Sequence, residues 1–374
     1  MGAETGVFSR RIARVQELMR RLELDFLLLG PTANLYYLTG LKTAADERLQ
    51  ALAVPAEGSP VLLLPAMYEK EARAKVKEGF PEGFELLAWS DGQDPAGLLA
   101  GALGKKQGRA AVDDRMWAAH LLALMRALPG FRFTGAAPVM LRARRVKEPA
   151  ELARLQEAGA LADRVMAEVR DTLRPGLAER ELAFFIERRL RELGAEGVSF
   201  PPIVASGPNG ANPHHVSGER RLSAGDFVVV DFGAVLKGYC SDITRTFCLG
   251  AAGPRHKAAY RAVREANAAG FAAARAGVPG EEVDRAARAV IEAAGWGEFF
   301  IHRTGHGIGL DVHEEPYLVA GNAEPLQPGE VFSVEPGIYL PGEFGVRIED
   351  IVAVTEDGPV RLNSFPRELI EIPV

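Results

Sequence analysis

The chain has 374 residues, 47% of them hydrophobic, enough for two or three domains with their own cores at about 150 residues per domain. Its net charge of −6 and pI near 5.8 leave no uniform positive field for nucleic acid, and the arginines crowding the first predicted helix (Arg10, Arg11, Arg14, Arg20, Arg21) read as a solvated face. Two cysteines, Cys240 and Cys248, cannot build a disulfide framework, and no apolar run approaches the ~18 residues of a membrane span; with no signal-like core in MGAETGVFSRRIARV, the expectation is a cytoplasmic protein.

In chain order, residues 7–22 carry helical spacing and DFLLLG at 25–30 is a buried strand ended by Gly30 and Pro31. PVLLLP near 60 and RAAVD near 109 are further strands, separated by the helical patterns MYEKEARAKV and WAAHLLALMRAL. Strand and helix alternate, so residues 1–135 predict a small α/β domain. Residues 136–147 read as a linker, and a second domain runs over 148–374. It opens with a long helix whose first turn tolerates Pro149, then a second helix, ERELAFFIERRLREL. A β-rich block follows at 197–249, helices at 254–276 and 280–294, and β-rich text again from 299. Helix, helix, sheet, repeated, predicts an α+β domain made of two similar halves.

The halves repeat in detail. GDFVVVDFG from Gly225 and GEVFSVEPG from Gly329 align at an offset of 104, pairing Leu222 with Leu326, Asp226 with Glu330, Asp231 with Glu335 and Gly233 with Gly337. Each stretch leads to another strand with an acid, Asp242 in GYCSDITRTF and Glu349 in GVRIEDIVAV. Antiparallel neighbours on one face bring such side chains within about 5 Å. Four carboxylates facing one core are untenable unless cations neutralise them, and four negative charges match two divalent metals.

Five of the seven histidines (His214, His215, His302, His306, His313) lie in or beside the β-rich blocks, while His120 and His256 sit on helical patterns. His302 and His306 have i, i+4 spacing, but Gly305, Gly307 and Gly309 argue against a helix and so against a helical zinc pair. Nor do these glycines make a phosphate loop, which requires a lysine and a helix start.

The set DFG at 231, SDITRTF at 241, GHGIGLDVHEEP at 305, VEPGIY at 334 and RIED at 347 resembles the pita-bread metallopeptidases, a family that includes methionine aminopeptidase, aminopeptidase P and prolidase. The resemblance implies an α/β N-terminal domain before an α+β pita-bread catalytic domain with an internal pseudo-twofold repeat. It implies two metal ions, with Asp231 on one, Asp242 and Glu349 bridging, and His306 and Glu335 completing the other. NLYYLTG at 34 and DER at 46 look like the first domain of the Xaa-Pro enzymes, and VHEEP resembles the compact prolidases. PHH at 213 resembles the family's substrate-side histidine, assigned to His214.

The chemistry implied is hydrolysis of an Xaa-Pro bond, in dipeptides or, alternatively, at the start of longer peptides; a binding protein lacking the metals on the same fold is the rival from another class. An oxygen-rich donor set with one imidazole suits manganese first, then cobalt or zinc. Glu335 would accept a proton, His313 steady the oxyanion or relay a proton, His214 hold substrate, and His302 and Arg347 shape the leaving-group side. Relatives form homodimers in which the first domain of one subunit helps close the other's site. That makes GLKTAADERLQ at 40–50, with Lys42 and Arg48, a candidate reader of a substrate carboxylate. Cys240, two residues before Asp242, reads as a packed side chain.

Overall fold

The computed structural model describes residues 6–76 and 84–374, so the start of the N-terminal stretch read for a signal lies outside the described residues. Contacts divide the chain into two compact units, Met1–Arg144 and Arg145–Val374.

In the first unit, α1 (Val7–Arg21) buries Ile12, Val15 and Met19 in one stripe. Arg10, Arg14, Arg20 and Arg21 are exposed, but Arg11 is buried and donates from Nη1 to the Tyr37 carbonyl at 3.0 Å. Strands β1 (Phe26–Leu29), β2 (Ala51–Pro55), β3 (Val61–Pro65), β4 (Glu85–Trp89), β5 (Gly108–Val112) and β6 (Phe131–Gly135) form one sheet in the order β4-β3-β2-β1-β5-β6. β2 runs antiparallel to both neighbours and the other pairs are parallel. The unit's remaining helices are α2 (Ala33–Thr39), α3 (Glu69–Val76), α4 (Pro95–Leu103), α5 (Ala118–Ala127) and α6 (Ala137–Arg145), the last filling most of the stretch read as a linker. In the 40–50 loop, Arg48 is already paired, with Nε and Nη2 donating to Asp91 at 3.1 and 3.2 Å and Nη1 to Glu47 at 2.6 Å.

The second unit opens with α7 (Pro149–Thr172), where Pro149 occupies the first turn and the Glu151 carboxylate accepts from the Glu148 N–H at 2.9 Å. After α8 (Glu179–Glu192) come β7 (Gly197–Val198), β8 (Ile203–Ser206), β9 (Phe227–Phe232), β10 (Ala234–Leu236), β11 (Tyr239–Cys240) and β12 (Ile243–Leu249). Then α9 (Pro254–Ala273) and α10 (Gly280–Ala293) lead to β13 (Gly305–Gly307), β14 (Glu314–Leu318), β15 (Val331–Val334), β16 (Gly337–Leu340), β17 (Phe344–Arg347), β18 (Asp350–Thr355), β19 (Gly358–Arg361) and β20 (Ile370–Ile372).

The repeat read in the sequence recurs as pairing. β8–β9–β12 are antiparallel neighbours in one sheet, and β13–β15–β18 in another. Each long pair continues into a short hairpin, β10–β11 in the first half and β16–β17 in the second. Val165, Val169, Leu182 and Ile186 of α7 and α8 pack on Val228, Val230 and Phe232. On the other half, Ala266 and Ala287 of α9 and α10 belong to the core that includes Ile338 and Val346. The helices thus cover strand faces that would otherwise meet water, and each helix pair buries aliphatic side chains worth about 1.5–3 kcal/mol apiece.

Candidate metal centre

The acids of the repeat sit where strands break. Asp231 is the penultimate residue of β9, two before Gly233, Asp242 lies between β11 and β12, Glu335 between β15 and β16, and Glu349 between β17 and β18. The sequence stretches GYCSDITRTF and GVRIEDIVAV read as continuous strands, but each is two strands with its acid in the gap. The direct cross-strand partner of Asp231 is Thr244, not Asp242. Close backbone approach makes the first break: a Cβ on Gly233 would stand 1.7 Å from the Ser241 carbonyl oxygen. Thr244 also joins the halves, its carbonyl accepting from the Glu349 N–H at 3.1 Å and its hydroxyl donating to Glu349 Oε2 at 2.6 Å.

Under this join lies Arg245, 1% exposed. Its Nη1 donates to the carbonyls of Thr244 and Glu349 at 2.8 and 2.5 Å, and its Nη2 to Asp350 at 2.6 Å and to the Phe365 carbonyl at 2.7 Å. Nε reaches the Pro366 carbonyl at 2.8 Å. One guanidinium therefore fixes the backbone of both halves at the residues beside their acids.

Asp242, His306 and Glu349 are buried and present ligand atoms within 4.8 Å of one another. Asp231 Oδ1, Asp242 Oδ1 and Glu349 Oε1 are buried without a hydrogen-bond partner, the arrangement expected of oxygens that hold a cation. Burial is the main cause raising the carboxyls of Asp242, Glu349 and Glu335, the last to about 7; neighbouring acids add to each and Arg347 opposes. His306 is neutral, burial and the nearby His313 holding it down to about 3. Its Nδ1 donates to the Gly307 carbonyl at 3.0 Å, which leaves the Nε2 lone pair facing Glu335 Oε1 at 3.3 Å and Asp242 Oδ2 at 3.9 Å. Acceptor facing acceptor at that distance calls for a positive ion among them. The donor set fits a divalent metal.

Arg347, expected to shape the leaving-group side, makes three hydrogen bonds in the cavity wall: Nη2 donates to Asp231 Oδ2 at 2.5 Å, Nε to Thr244 Oγ1 at 3.1 Å and Nη1 to the Tyr339 hydroxyl at 2.8 Å. The Tyr339 hydroxyl in turn donates to His302 Nε2 at 2.8 Å, while His302 Nδ1 donates to the Arg303 carbonyl at 2.7 Å. Burial and Arg347 lower His302 to about 4, so this chain runs through a neutral imidazole. His313 meets the His306 ring edge to face, centroids 4.2 Å apart, and burial lowers it too. Tyr339, Thr244 and Ser333, whose hydroxyl donates to Glu335 at 3.1 Å, were not singled out in the sequence, where they read as ordinary strand residues.

The acids Asp231, Asp242, Glu335 and Glu349 and the side chains of His302, His306, His313 and Arg347 line a cavity of about 760 Å³ with Phe200, Pro201, Pro202 and Val216 on an apolar wall. His214 and His215 both border it but differ. His215 Nε2 lies 2.7 Å from the fully buried Glu179 carboxylate, which also accepts from the Ser206 N–H and hydroxyl, Asn209 and the Gly218 N–H. His215 is thus a clamp on its loop, and His214 is the exposed imidazole. Cys240 is buried, its Sγ 3.8 Å from the Leu310 carbonyl, and packs in the core beside the site.

Residues 153–356 match the family profile described as Metallopeptidase family M24, and residues 11–146 that of the Creatinase/Prolidase N-terminal domain. The chain is 46% identical to a Mycobacterium tuberculosis protein named "Probable dipeptidase PepE", over 98% of this chain and 97% of that one. It is 35% identical to the Xaa-Pro dipeptidase of Lactobacillus helveticus, over 96% and 98%. The crystal structure of a prolidase from Thermococcus sibiricus superposes with a TM-score of 0.92 at 40% identity, covering 98% of this chain and 99% of that one.

Proposed function

The chain belongs to metallopeptidase family M24, with the pita-bread catalytic fold behind a creatinase-type N-terminal domain, and from that premise we propose that it hydrolyses the Xaa-Pro bond of dipeptides. The observation that carries this reading is the convergence of Asp242, His306 and Glu349 beside three partnerless carboxylate oxygens. Asp231, Asp242, His306, Glu335 and Glu349 would hold two divalent ions, manganese first for so hard a donor set, which supply an activated water and polarise the scissile carbonyl. Names given to the relatives, dipeptidase and Xaa-Pro dipeptidase, support the dipeptide over the longer peptide.

Each side chain then has a task set by its surroundings. Glu335, with one carboxylate oxygen facing His306 Nε2, would accept a proton from the attacking water and return it to the leaving nitrogen. His313, neutral and unligated, is placed to donate a hydrogen bond to a developing oxyanion. His214 holds substrate near the scissile bond. His302, through Tyr339 and Arg347, stiffens the leaving-group side and orients Asp231. Proline offers no N–H, so a site gripping the rest of the substrate loses nothing there. Two free buried cysteines support a reducing cytoplasm, and the relatives' habit supports a homodimer.

The test is elemental analysis of purified protein together with hydrolysis of Ala-Pro, Ala-Ala and Ala-Pro-Ala. About two equivalents of metal, chelator-sensitive cleavage of Ala-Pro and slow cleavage of Ala-Ala are expected. Absence of bound metal with unchanged hydrolysis would overturn the reading.

A further inference from the structure

The cavity holds two arginines, and they are not alike. Arg347 is buried and committed to Asp231, Thr244 and Tyr339. Arg303 lines the same cavity half-buried, and among the described residues no carboxylate pairs with its guanidinium. Its guanidinium lies over the Tyr317 ring, 4.4 Å from the centroid, a stacking that leaves its in-plane N–H fork available. The backbone on either side is pinned. The Thr304 N–H and hydroxyl donate to Asp284 at 3.0 and 2.8 Å, and Arg288 Nη2 donates to the His302 carbonyl at 2.9 Å. Arg303 is therefore a pre-placed cation facing a space whose acids are all gathered at the metal centre. The apolar wall of Phe200, Pro201, Pro202 and Val216 brings no charge to meet it.

A half-buried guanidinium with no counter-charge gains most from a ligand that brings one, because planar forks bind carboxylates with two parallel hydrogen bonds. Every dipeptide brings a C-terminal carboxylate at a fixed distance from its scissile bond, whatever its first residue. Resting on the reading of the site as an Xaa-Pro dipeptidase, we propose that Arg303 binds the C-terminal carboxylate of the substrate, so that the preference for dipeptides is set by a cation of this chain's own cavity. Arg48, one of the two candidate readers in the first unit's loop, is by contrast already paired with Asp91.

The experiment compares Ala-Pro with Ala-Pro amide, and Glu-Pro with Ala-Pro, in metal-loaded wild type, Arg303→Met and Arg303→Lys. In Arg303→Met, KM for Ala-Pro should rise roughly 10- to 100-fold, the range of a charge-assisted hydrogen bond, with kcat within a few-fold. The amide should be a poor substrate for wild type and lose almost nothing further in the variant. Arg303→Lys should recover part of the loss. Equal losses on acid and amide would overturn the proposal, as would a loss confined to Glu-Pro, which would assign Arg303 to the first residue's side chain. Calorimetric binding of proline and prolinamide tests the same point without turnover: wild type should favour proline and Arg303→Met should not. If wild type binds proline through Arg303 yet cleaves no Xaa-Pro bond, the hydrolytic reading fails and the carboxylate site stands; if neither protein distinguishes proline from prolinamide, the carboxylate site falls. Unchanged melting temperatures show that the variants are folded.

Discussion

His313 and Asp242 stand within one cavity but answer to different tests. His313 touches the His306 ring without being one of the proposed ligands, so His313→Ala should lower kcat by about 10²–10⁴-fold, the scale of a lost proton-transfer or oxyanion group, with metal content unchanged. Loss of metal from that variant would make His313 a ligand. Asp242→Asn should lose metal and activity together, yet its metal-free form should be no less stable than wild type, because it removes one of several buried like charges. The sign of the pH dependence follows from the raised carboxyls. Glu335 titrates near 7 in the metal-free fold against 4.5 when unperturbed, and Asp242 and Glu349 shift the same way. Folding therefore favours the protonated forms, a contribution fully present below about 4.5 and lost as pH rises through about 7. Melting temperatures of metal-free protein should fall across that window, while metal-loaded protein, its carboxylates ionised and neutralised, should not follow. A rise of metal-free stability over the same range would contradict the buried-acid account. These acids were legible in the sequence because the chain states them twice. Arg303, Tyr339 and Thr244 were not, since neither a hydroxyl on a strand nor a guanidinium in a loop reveals what it faces.

At the scale of elements, the breaks matter as much as the strands. Gly233 and its repeat mate Gly337 stand where each long strand gives way to its hairpin, and a Cβ at Gly337 would meet the Tyr339 hydroxyl at 2.5 Å. At Gly233 the obstacle is a backbone carbonyl, which cannot rotate aside. Gly233→Ala should cost about 1–3 kcal/mol from overpacking alone and also weaken metal binding, since the shift falls between Asp231 and Asp242. Denaturant unfolding and a metal titration check both, and a variant with native affinity would show the break to be incidental. Strands and helices of the second unit were legible because apolar alternation and glycine punctuation agree. The breaks at Asp242 and Glu349 were hidden, for the alternation runs straight through them and only pairing partners reveal the change of sheet.

For the whole molecule, the doubled order of helices and sheet was visible because it is an order of elements. The sheet order of the first unit was not, because nothing local to a strand says which neighbour it will find. Whether the active form encloses its substrate is also a property of the assembly. A dipeptidase should cleave Ala-Pro at least tenfold more efficiently than Ala-Pro-Ala, since a third residue moves the carboxylate off its partner and leaves charge unpaired, a penalty of several kcal/mol when buried. Kinetics on one preparation, with its mass measured by light scattering, ask both questions, and equal rates would point to an aminopeptidase instead.

Arg245 gives the site a timetable. Its guanidinium is satisfied by Glu349 and Phe365, 104 and 120 positions further along the chain. A ribosome adding about 5–20 residues per second delivers those partners roughly five to twenty-five seconds after it delivers Arg245. In that interval a charge destined for the interior has nowhere to be buried, and β12 waits beside β9 with its later neighbour β20 not yet made. The first hairpin must stay loose and reachable by chaperones until the second half emerges. Chains stalled before Glu349 should be cut readily by protease within β9–β12, and chains extended until Ile372 has cleared the exit tunnel should resist; early resistance would mean that the first half closes alone.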